Sequence, residues 1–439
     1  MNKAKTLLPL TISVMLACGS AVAAGGPGGE IDYSAYQDKP APNLKAEEKI
    51  NGFPASMQPW RVPGEPNLIK RDTDWEGTYK RRDLDKINPK REPGPIDLQR
   101  YEYVTTKHGF PTYFGLPVAL NTEDLKAGDV DVAIVGLPSN FNMGGDGTAW
   151  AANQLRFVRQ YDFAGVGHDL VLNNHYFDIL NVVDYGNANS HVSFMNDNFV
   201  EHAKVLREIF EGGATPIAIG GEHGTQVASI MAVVDHYGPK EVAFVHFDAH
   251  MDYSTAGAGT LGLFTHGGRA RRFAHENGWI DGADMHSIGI RGAYDDAERV
   301  EYLNAAGDKI HYMSEFERKG FEATWKKVRE ELKGKKLYIS VDVDVLDAPY
   351  VPGTSNPEAG GFTSAQMGRM LRELAMQNDV VLLDFAEYTP LMDDNHYNTA
   401  NTINRMMRAF LAGKAARKEG NTDPDYIHPA IKQTYADQK

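Results

Sequence analysis

The sequence predicts an α/β fold: a three-layer sandwich in which a mostly parallel central sheet carries helices on both faces. Two observations lead there. Short continuous apolar runs recur at Val130 to Leu137, Pro216 to Ile219, Val242 to Phe247, His286 to Ile290, Leu337 to Val345 and Val380 to Phe385. Runs of this length without alternation mark strands buried on both faces. Longer amphipathic stretches separate several of them, at Asn198 to Phe210, Phe321 to Leu332 and Ser364 to Met376, and a last helical pattern lies near Ile403 to Ala412. Strand and helix alternate, which makes a parallel sheet the economical architecture. In such sheets ligands bind beyond the carboxyl ends of the strands.

Taken in order, the chain opens with a targeting pattern over residues 1–23. Lys3 and Lys5 form a positive region, Leu7 to Ala17 an apolar one, and Ala21-Val22-Ala23 a small-residue cleavage site. The apolar run is too short for a membrane span. Export to the periplasm or the medium is expected. A competing lipoprotein reading makes Met15-Leu16-Ala17-Cys18 the processing site with Cys18 lipidated, whereas Gly19-Ser20 running into Ala21-Val22-Ala23 favours soluble export. Cys18 is the single cysteine, so no disulfide framework is expected. Residues 24–110, rich in proline, glycine and charge, read as a disordered or surface-wrapping extension whose scattered aromatics suggest that parts dock on the core or on a neighbouring subunit. Residues 111–415 carry the regular pattern and form the main folded domain, and residues 416–439 read as a polar tail. Of 439 residues, 42% are hydrophobic and 24% charged, the balance of a soluble globular protein, and a formal charge of −14 argues against a nucleic-acid or anionic-membrane surface.

The chemistry sits at the ends of the apolar runs. Asp248, His250 and Asp252 alternate after Val245-His246-Phe247, so they share one face if the strand continues that far. Asp342 and Asp344 alternate in Ser340-Val341-Asp342-Val343-Asp344-Val345, a run too apolar to solvate them. His223 follows Ile219-Gly220-Gly221-Glu222, where the glycines are expected to let the backbone turn sharply. Glu387 closes Leu383-Asp384-Phe385-Ala386. Alone, each motif reads as turn chemistry, capping or a buried hydrogen-bond network. Together, two histidines and four aspartates at the ends of three strands point to metal, because buried carboxylates this close are costly without a cation. Oxygen-rich ligation with two imidazoles suits Mn²⁺, with Ni²⁺, Co²⁺ or Zn²⁺ as alternatives. Six ligands exceed the needs of one ion, so two ions roughly 3.5 Å apart are expected, sharing a water.

From about Thr112 to Gly413 the chain resembles the ureohydrolase superfamily of arginases and agmatinases. The resemblance is carried by the metal motifs as a set. The agmatinase-like branch is suggested by Gly109-Phe110-Pro111-Thr112-Tyr113-Phe114, Ala133-Ile134-Val135-Gly136-Leu137-Pro138 and Asn181-Val182-Val183-Asp184-Tyr185-Gly186. It implies that His223, Asp248, Asp252 and Asp342 hold one manganese, and that Asp248, His250, Asp342 and Asp344 hold the other, with Asp248 and Asp342 bridging. It also implies that His266, in Thr265-His266-Gly267, shuttles protons, that Glu387 grips a guanidinium, and that the assembly is a homotrimer or homohexamer.

The sequence departs from that pattern in the pocket loops. Glu222 replaces the usual aspartate, Gly224 the usual serine and Ala348 a proline. The loop Asn142 to Trp150 stands in place of an arginine- and glycine-rich segment, and Ser355-Asn356 fills the variable positions of the Pro352 to Glu358 loop. The expected activity is hydrolysis of a small cationic guanidino compound to urea and an amine, with agmatine as the default. Guanidinobutyrate, another guanidino acid and guanidine are alternatives. A formimidoyl or amide hydrolase fits less well, because Glu387 suits a cation, and a non-catalytic exported metal-binding protein leaves His266 and Glu387 without a use.

Overall fold

The computed structural model describes residues 49–50, 53–54, 91–99, 109–140, 147–158, 167–190, 195–253, 270–292 and 297–431. The expected targeting segment with Cys18, most of the extension, residues 141–146 of the altered loop, and His266 lie outside the described residues.

Eight parallel strands form the central sheet: β1 Val132–Leu137, β2 Val182–Asn187, β3 Thr215–Gly220, β4 Ala243–Phe247, β5 Met285–Ile290, β6 Lys309–Tyr312, β7 Lys336–Asp342 and β8 Asp379–Ala386. Their spatial order is β6-β5-β4-β7-β8-β3-β1-β2, and every pairing is parallel. Each of the six apolar runs overlaps one of these strands. Alternate residues go to opposite sides: Val132 and Ile134 join one core, Ala133, Val135 and Leu137 the other. A strand buried on both faces has no polar positions to alternate with, which is why the runs are continuous.

Helices cover both faces. On one lie α1 (Met195–Glu211) and α2 (Gln226–Tyr237); on the other lie α3 (Met313–Lys319), α4 (Phe321–Leu332), α5 (Ser364–Gln377) and α6 (Asn398–Lys418). A capping box starts α5: Gln366 N donates to Thr363 Oγ1 at 3.2 Å, and Thr363 N donates to Gln366 Oε1 at 2.9 Å. Gly413 lets α6 pack close to α5, since a side chain there would collide with the Arg372 carbonyl. No helix among the described residues is long and apolar enough to cross a membrane. Part of the extension docks on the core. Arg91 Nη2 reaches Asp124 Oδ1 at 2.6 Å, and Ile96 pairs with Val118 in an isolated bridge. At the other end, Asp425 meets Arg329 at 2.8 Å.

The outer strand β2 is held by charge. Asp184 and Arg156 are both buried, and they pair through two hydrogen bonds of 2.7 and 2.8 Å. Tyr113 N donates to the same carboxylate at 3.2 Å, and its ring lies 4.2 Å from the Arg156 guanidinium carbon. Asp184→Asn leaves the guanidinium buried without its counter-charge. Urea unfolding is expected to show a loss of about 3–5 kcal/mol; a loss below about 1 kcal/mol would mean the pair contributes little.

His202 on α1 is fully buried, and burial lowers its pKa from 6.5 to about 3. The folded value lies below the unfolded one. Its contribution is therefore complete above pH 6.5 and is lost as the pH falls from 6.5 toward 3. Between about pH 7.5 and about pH 5.5 that loss amounts to about 1.4 kcal/mol. Stability of His202→Gln should fall less steeply over this interval, and parallel pH profiles for the two proteins would refute the assignment.

Candidate metal centre

The sheet order makes β4, β7, β8 and β3 consecutive neighbours, and the candidate residues follow the carboxyl ends of these four. His223 opens a short 3-10 turn just after β3, leading into α2. The chain bends at Gly221 as it leaves β3, but neither Gly220 nor Gly221 has a positive φ, so the bend itself does not require glycine. Gly221 is required instead by close approach: a side chain there would overlap the Ser139 backbone.

Two expectations of strand geometry are corrected. β4 ends at Phe247, so Asp248, His250 and Asp252 do not alternate along a strand. A loop gathers them, fixed by Arg291 N and Gly292 N donating to Ala249 O at 2.8 Å, with Asp252 in a left-handed conformation at φ 44°. β7 likewise ends at Asp342, and Asp344 lies in a 3-10 turn capped by Asp342, whose Oδ1 accepts from Asp344 N at 3.0 Å. Carboxylates that cap their own loop end the strand, because they offer its amides a local partner.

The loops bring the residues together more tightly than a strand face would. His223 Nδ1 lies 3.2 Å from Asp248 Oδ2, 3.1 Å from Asp252 Oδ2 and 3.1 Å from Asp342 Oδ2. His250 Nδ1 lies 3.0 Å from Asp344 Oδ2 and 3.5 Å from Asp248 Oδ1. Asp248 thus presents one oxygen to each histidine. Backbone amides supply part of the neutralisation, with His250 N donating to Asp248 Oδ1 at 2.6 Å and Ala249 N to Asp344 Oδ1 at 3.1 Å.

The electrostatics call for a cation. Burial, with the charges of Asp344 and Asp248, raises Asp342 well above the usual carboxylate range, and burial beside Asp248 raises Asp344 to about 6. Burial alone would lower His250, but hydrogen bonds with Asp248 and Asp344 outweigh it and carry the imidazole up to about 12. Protons thus gather where positive charge is wanted. The groups Asp248–His250–Asp344 and His223–His246–Asp248 each bring their ligand atoms within 4.8 Å of one another. The residues present fit divalent metal.

Beneath the ligands runs a polar row that the sequence reasoning missed. His246, Ser340 and Asp384 are register partners across β4, β7 and β8. Ser340 Oγ donates to Asp384 Oδ1 at 2.6 Å, which leaves its oxygen to accept from His223 Nε2, 3.0 Å away. Burial would lower the pKa of His223, but its hydrogen bonds with Asp248, Asp252 and Asp342 raise it well above 6.5, so Nδ1 faces the three carboxylates as a donor. Gln226 of α2 places its amide 3.2 Å from His246 Nδ1, which puts the His246 proton on Nε2, 2.9 Å from Asp248 Oδ2. Burial keeps His246 neutral, with a pKa of about 4. We therefore read His246 as orienting Asp248 rather than as a ligand. The one sequence signal for it was a histidine inside an apolar run, two residues before Asp248. Arg291 was also missed. Its guanidinium donates to the carbonyls of Asp344 at 2.7 Å, Glu358 at 2.9 Å and Ala359 at 2.9 Å, tying the Asp344 turn to the following loop. The Glu358 carboxylate in turn stands 3.4 Å from His250 Nε2.

Glu387 leaves β8 at φ 62° and is buried beside the cluster, where its Oε1 accepts from His223 N at 2.6 Å. Burial raises its pKa to about 7, with the charges of Asp252 and Glu222 adding to the effect. A carboxylate in this setting gains its full charge when a cation docks against it.

The arginase family model matches residues 130–413. The chain is 34% identical to proclavaminate amidinohydrolase of Streptomyces clavuligerus over 49% of its own length and 67% of that protein. It is 30% identical to guanidinopropionase of Pseudomonas aeruginosa over 69% of its length and 90% of that protein. Among solved structures, proclavaminate amidinohydrolase superposes with a TM-score of 0.62 at 27% identity, covering 72% of this chain and 100% of that one.

If His246 orients Asp248, His246→Asn should weaken metal binding about 10–100-fold with the fold unchanged. Chelator competition followed in parallel with circular dichroism measures both. Unaltered metal affinity would remove the orienting role.

Proposed function

Because the chain belongs to the arginase family, in its agmatinase-like branch of hydrolases that cleave amidino C–N bonds, we propose that it is a binuclear manganese amidinohydrolase that converts a small guanidino compound to urea and an amine. The observation that carries this reading is the meeting of His223 Nδ1 with three carboxylates at 3.1–3.2 Å beside the buried Glu387. His223, Asp248, Asp252, His250, Asp342 and Asp344 would hold the two ions. When bound, such a metal pair supplies a water acidified to near-neutral pH.

The chain's own residues do the rest. A guanidinium carbon is a poor electrophile, since its charge is spread over three nitrogens, so positioning must lower much of the barrier. Glu387 receives the planar cation by charge-assisted hydrogen bonds and sets its carbon against the carboxylate cluster. Arrival of the cation offsets the burial that holds the Glu387 pKa near 7. Asp252, at the more open edge of the cluster with 23% of its side chain exposed, accepts a proton and passes it to the departing amine. His266 relays protons with solvent.

Agmatine is the first substrate to test. A second reading, a guanidino acid, is favoured by the likeness to a guanidinopropionase over 90% of that protein's length. Urea release from agmatine, guanidinobutyrate, guanidinopropionate, arginine and guanidine, after loading with Mn²⁺ or Ni²⁺, is the direct experiment. We expect one of these to dominate; no urea from any of them would overturn the reading. Asp248→Asn should lower turnover by more than the about 100-fold that an outer partner costs. Glu387→Gln removes a charged hydrogen-bond acceptor worth about 1.5–3 kcal/mol, which lowers kcat/KM about 10–100-fold.

A further inference from the structure

A second cluster of metal-binding side chains lies at the far edge of the sheet. His286 is the second residue of β5, at the end of the strand opposite the candidate centre. It pairs in register with Lys309 of the edge strand β6, so His311, two residues further along β6, falls on the same face. The two imidazoles are almost parallel, with ring centroids 6.0 Å apart and an interplanar angle of 17°. The last turn of α4 lays Glu331 over them, and α3 brings Glu315 alongside. Both histidines are buried, yet none of their four ring nitrogens has a hydrogen-bond partner, and neither has Glu331 Oε2. Buried polar atoms are normally paired, and four orphaned nitrogens beside one orphaned carboxylate oxygen call for a group that would satisfy them together.

We propose that His286, His311 and Glu331 form a further metal site, distinct from the catalytic pair, which takes a divalent transition ion of the zinc class. The spacing suits it. Tetrahedral zinc with bonds of about 2.0–2.1 Å sets its ligands about 3.3 Å apart. Glu331 Oε2 lies 3.3 Å from His311 Nε2 and 3.8 Å from His286 Nδ1, and the three ligand atoms fall within 4.8 Å of one another. Water takes the fourth position, while Glu315 Oε2 lies beside the other ring nitrogen, 3.6 Å from His311 Nδ1. Two imidazoles and one carboxylate favour zinc, nickel or copper over magnesium and calcium.

The surrounding charges leave the ligand atoms available. Burial lowers His286 to about 3 and also lowers His311, so both rings are neutral and keep a lone pair at neutral pH. Lys327 stands on the solvent side, 3.9 Å from Glu331 Oε1 and 3.5 Å from Glu315 Oε1, and leaves Glu331 Oε2 to face the rings. Lys335 pairs with Asp284, and Lys309 faces the cluster from β6. An ion here would tie the edge strand to β5 and α4.

The full-length protein, stripped of metal, is titrated with Zn²⁺ against a chromophoric chelator and melted with and without Zn²⁺. His311→Asn should bind one equivalent fewer than wild type, and Glu331→Ala should bind that equivalent at least tenfold more weakly. Both should lose part of the Zn²⁺-dependent rise in Tm, while urea release by the Mn²⁺-loaded enzyme stays unchanged. Because the readout is a difference from wild type, ions at the catalytic centre cancel, and the result does not depend on what that centre does. Should His311→Asn fail to fold, Glu331→Ala at its half-exposed helical position decides alone. Stoichiometry and affinity equal to wild type in the folded variants would overturn the site.

Discussion

The architecture depends on holding mutually repelling carboxylates in one dry place. Asp248, Asp342 and Asp344 are almost completely buried and Asp252 stands against the same imidazole. Two like charges about 4 Å apart cost about 4 kcal/mol even at an effective dielectric of about 20, so the cluster persists only if its surroundings answer that charge. The answer comes in layers. Backbone amides of Ala249, His250 and Asp344 donate into the carboxylates. His223 and His250 stand between them. Below, the row of His246, Ser340 and Asp384 fixes ring orientation, and Arg291 sets a guanidinium under the Asp344 turn. What remains uncompensated is shaped for divalent metal.

The same constraint explains what could be read from the sequence. Strands buried on both faces must be apolar throughout, so six of the eight declared themselves as unbroken runs. Edge positions relax that demand. β2 ends in Gly186 and Asn187, and β6 carries Lys309 and His311, so neither looked like a strand. α2 escaped for the opposite reason: Val227, Ala228, Ile230, Met231, Ala232 and Val233 are all buried, and a helix surrounded by core shows no polar face. The candidate ligands were legible because carboxylates and histidines are conspicuous at the ends of apolar runs. Their geometry was not. Alternation suggested strand faces at 248–252 and 342–344, whereas the carboxylates end the strands and bind their own loops. His246 and Gln226 were overlooked because a buried histidine or glutamine within an element announces nothing until its partners from other strands are known.

The order of strands in space was also beyond reach of pattern. β3 and β4 follow one another in sequence, yet β7 and β8 lie between them. His223 and Asp248 nevertheless meet at 3.2 Å, because both leave their strands on loops that lean over the two strands inserted later. This interleaving bears on when the centre can form. A chain emerging from the ribosome presents His223 through Asp252 well before Asp342, Asp344 and Glu387 exist. Until the later pair of strands arrives, the earlier pair has no native neighbours at the middle of the sheet, and joining the two directly would give a wrong register. Contacts of such long sequence separation are slow to close. The centre is therefore a late product of synthesis, and any nascent or truncated chain that stops short of Asp342 carries His223, Asp248, His250 and Asp252 without the carboxylates that complete the cluster.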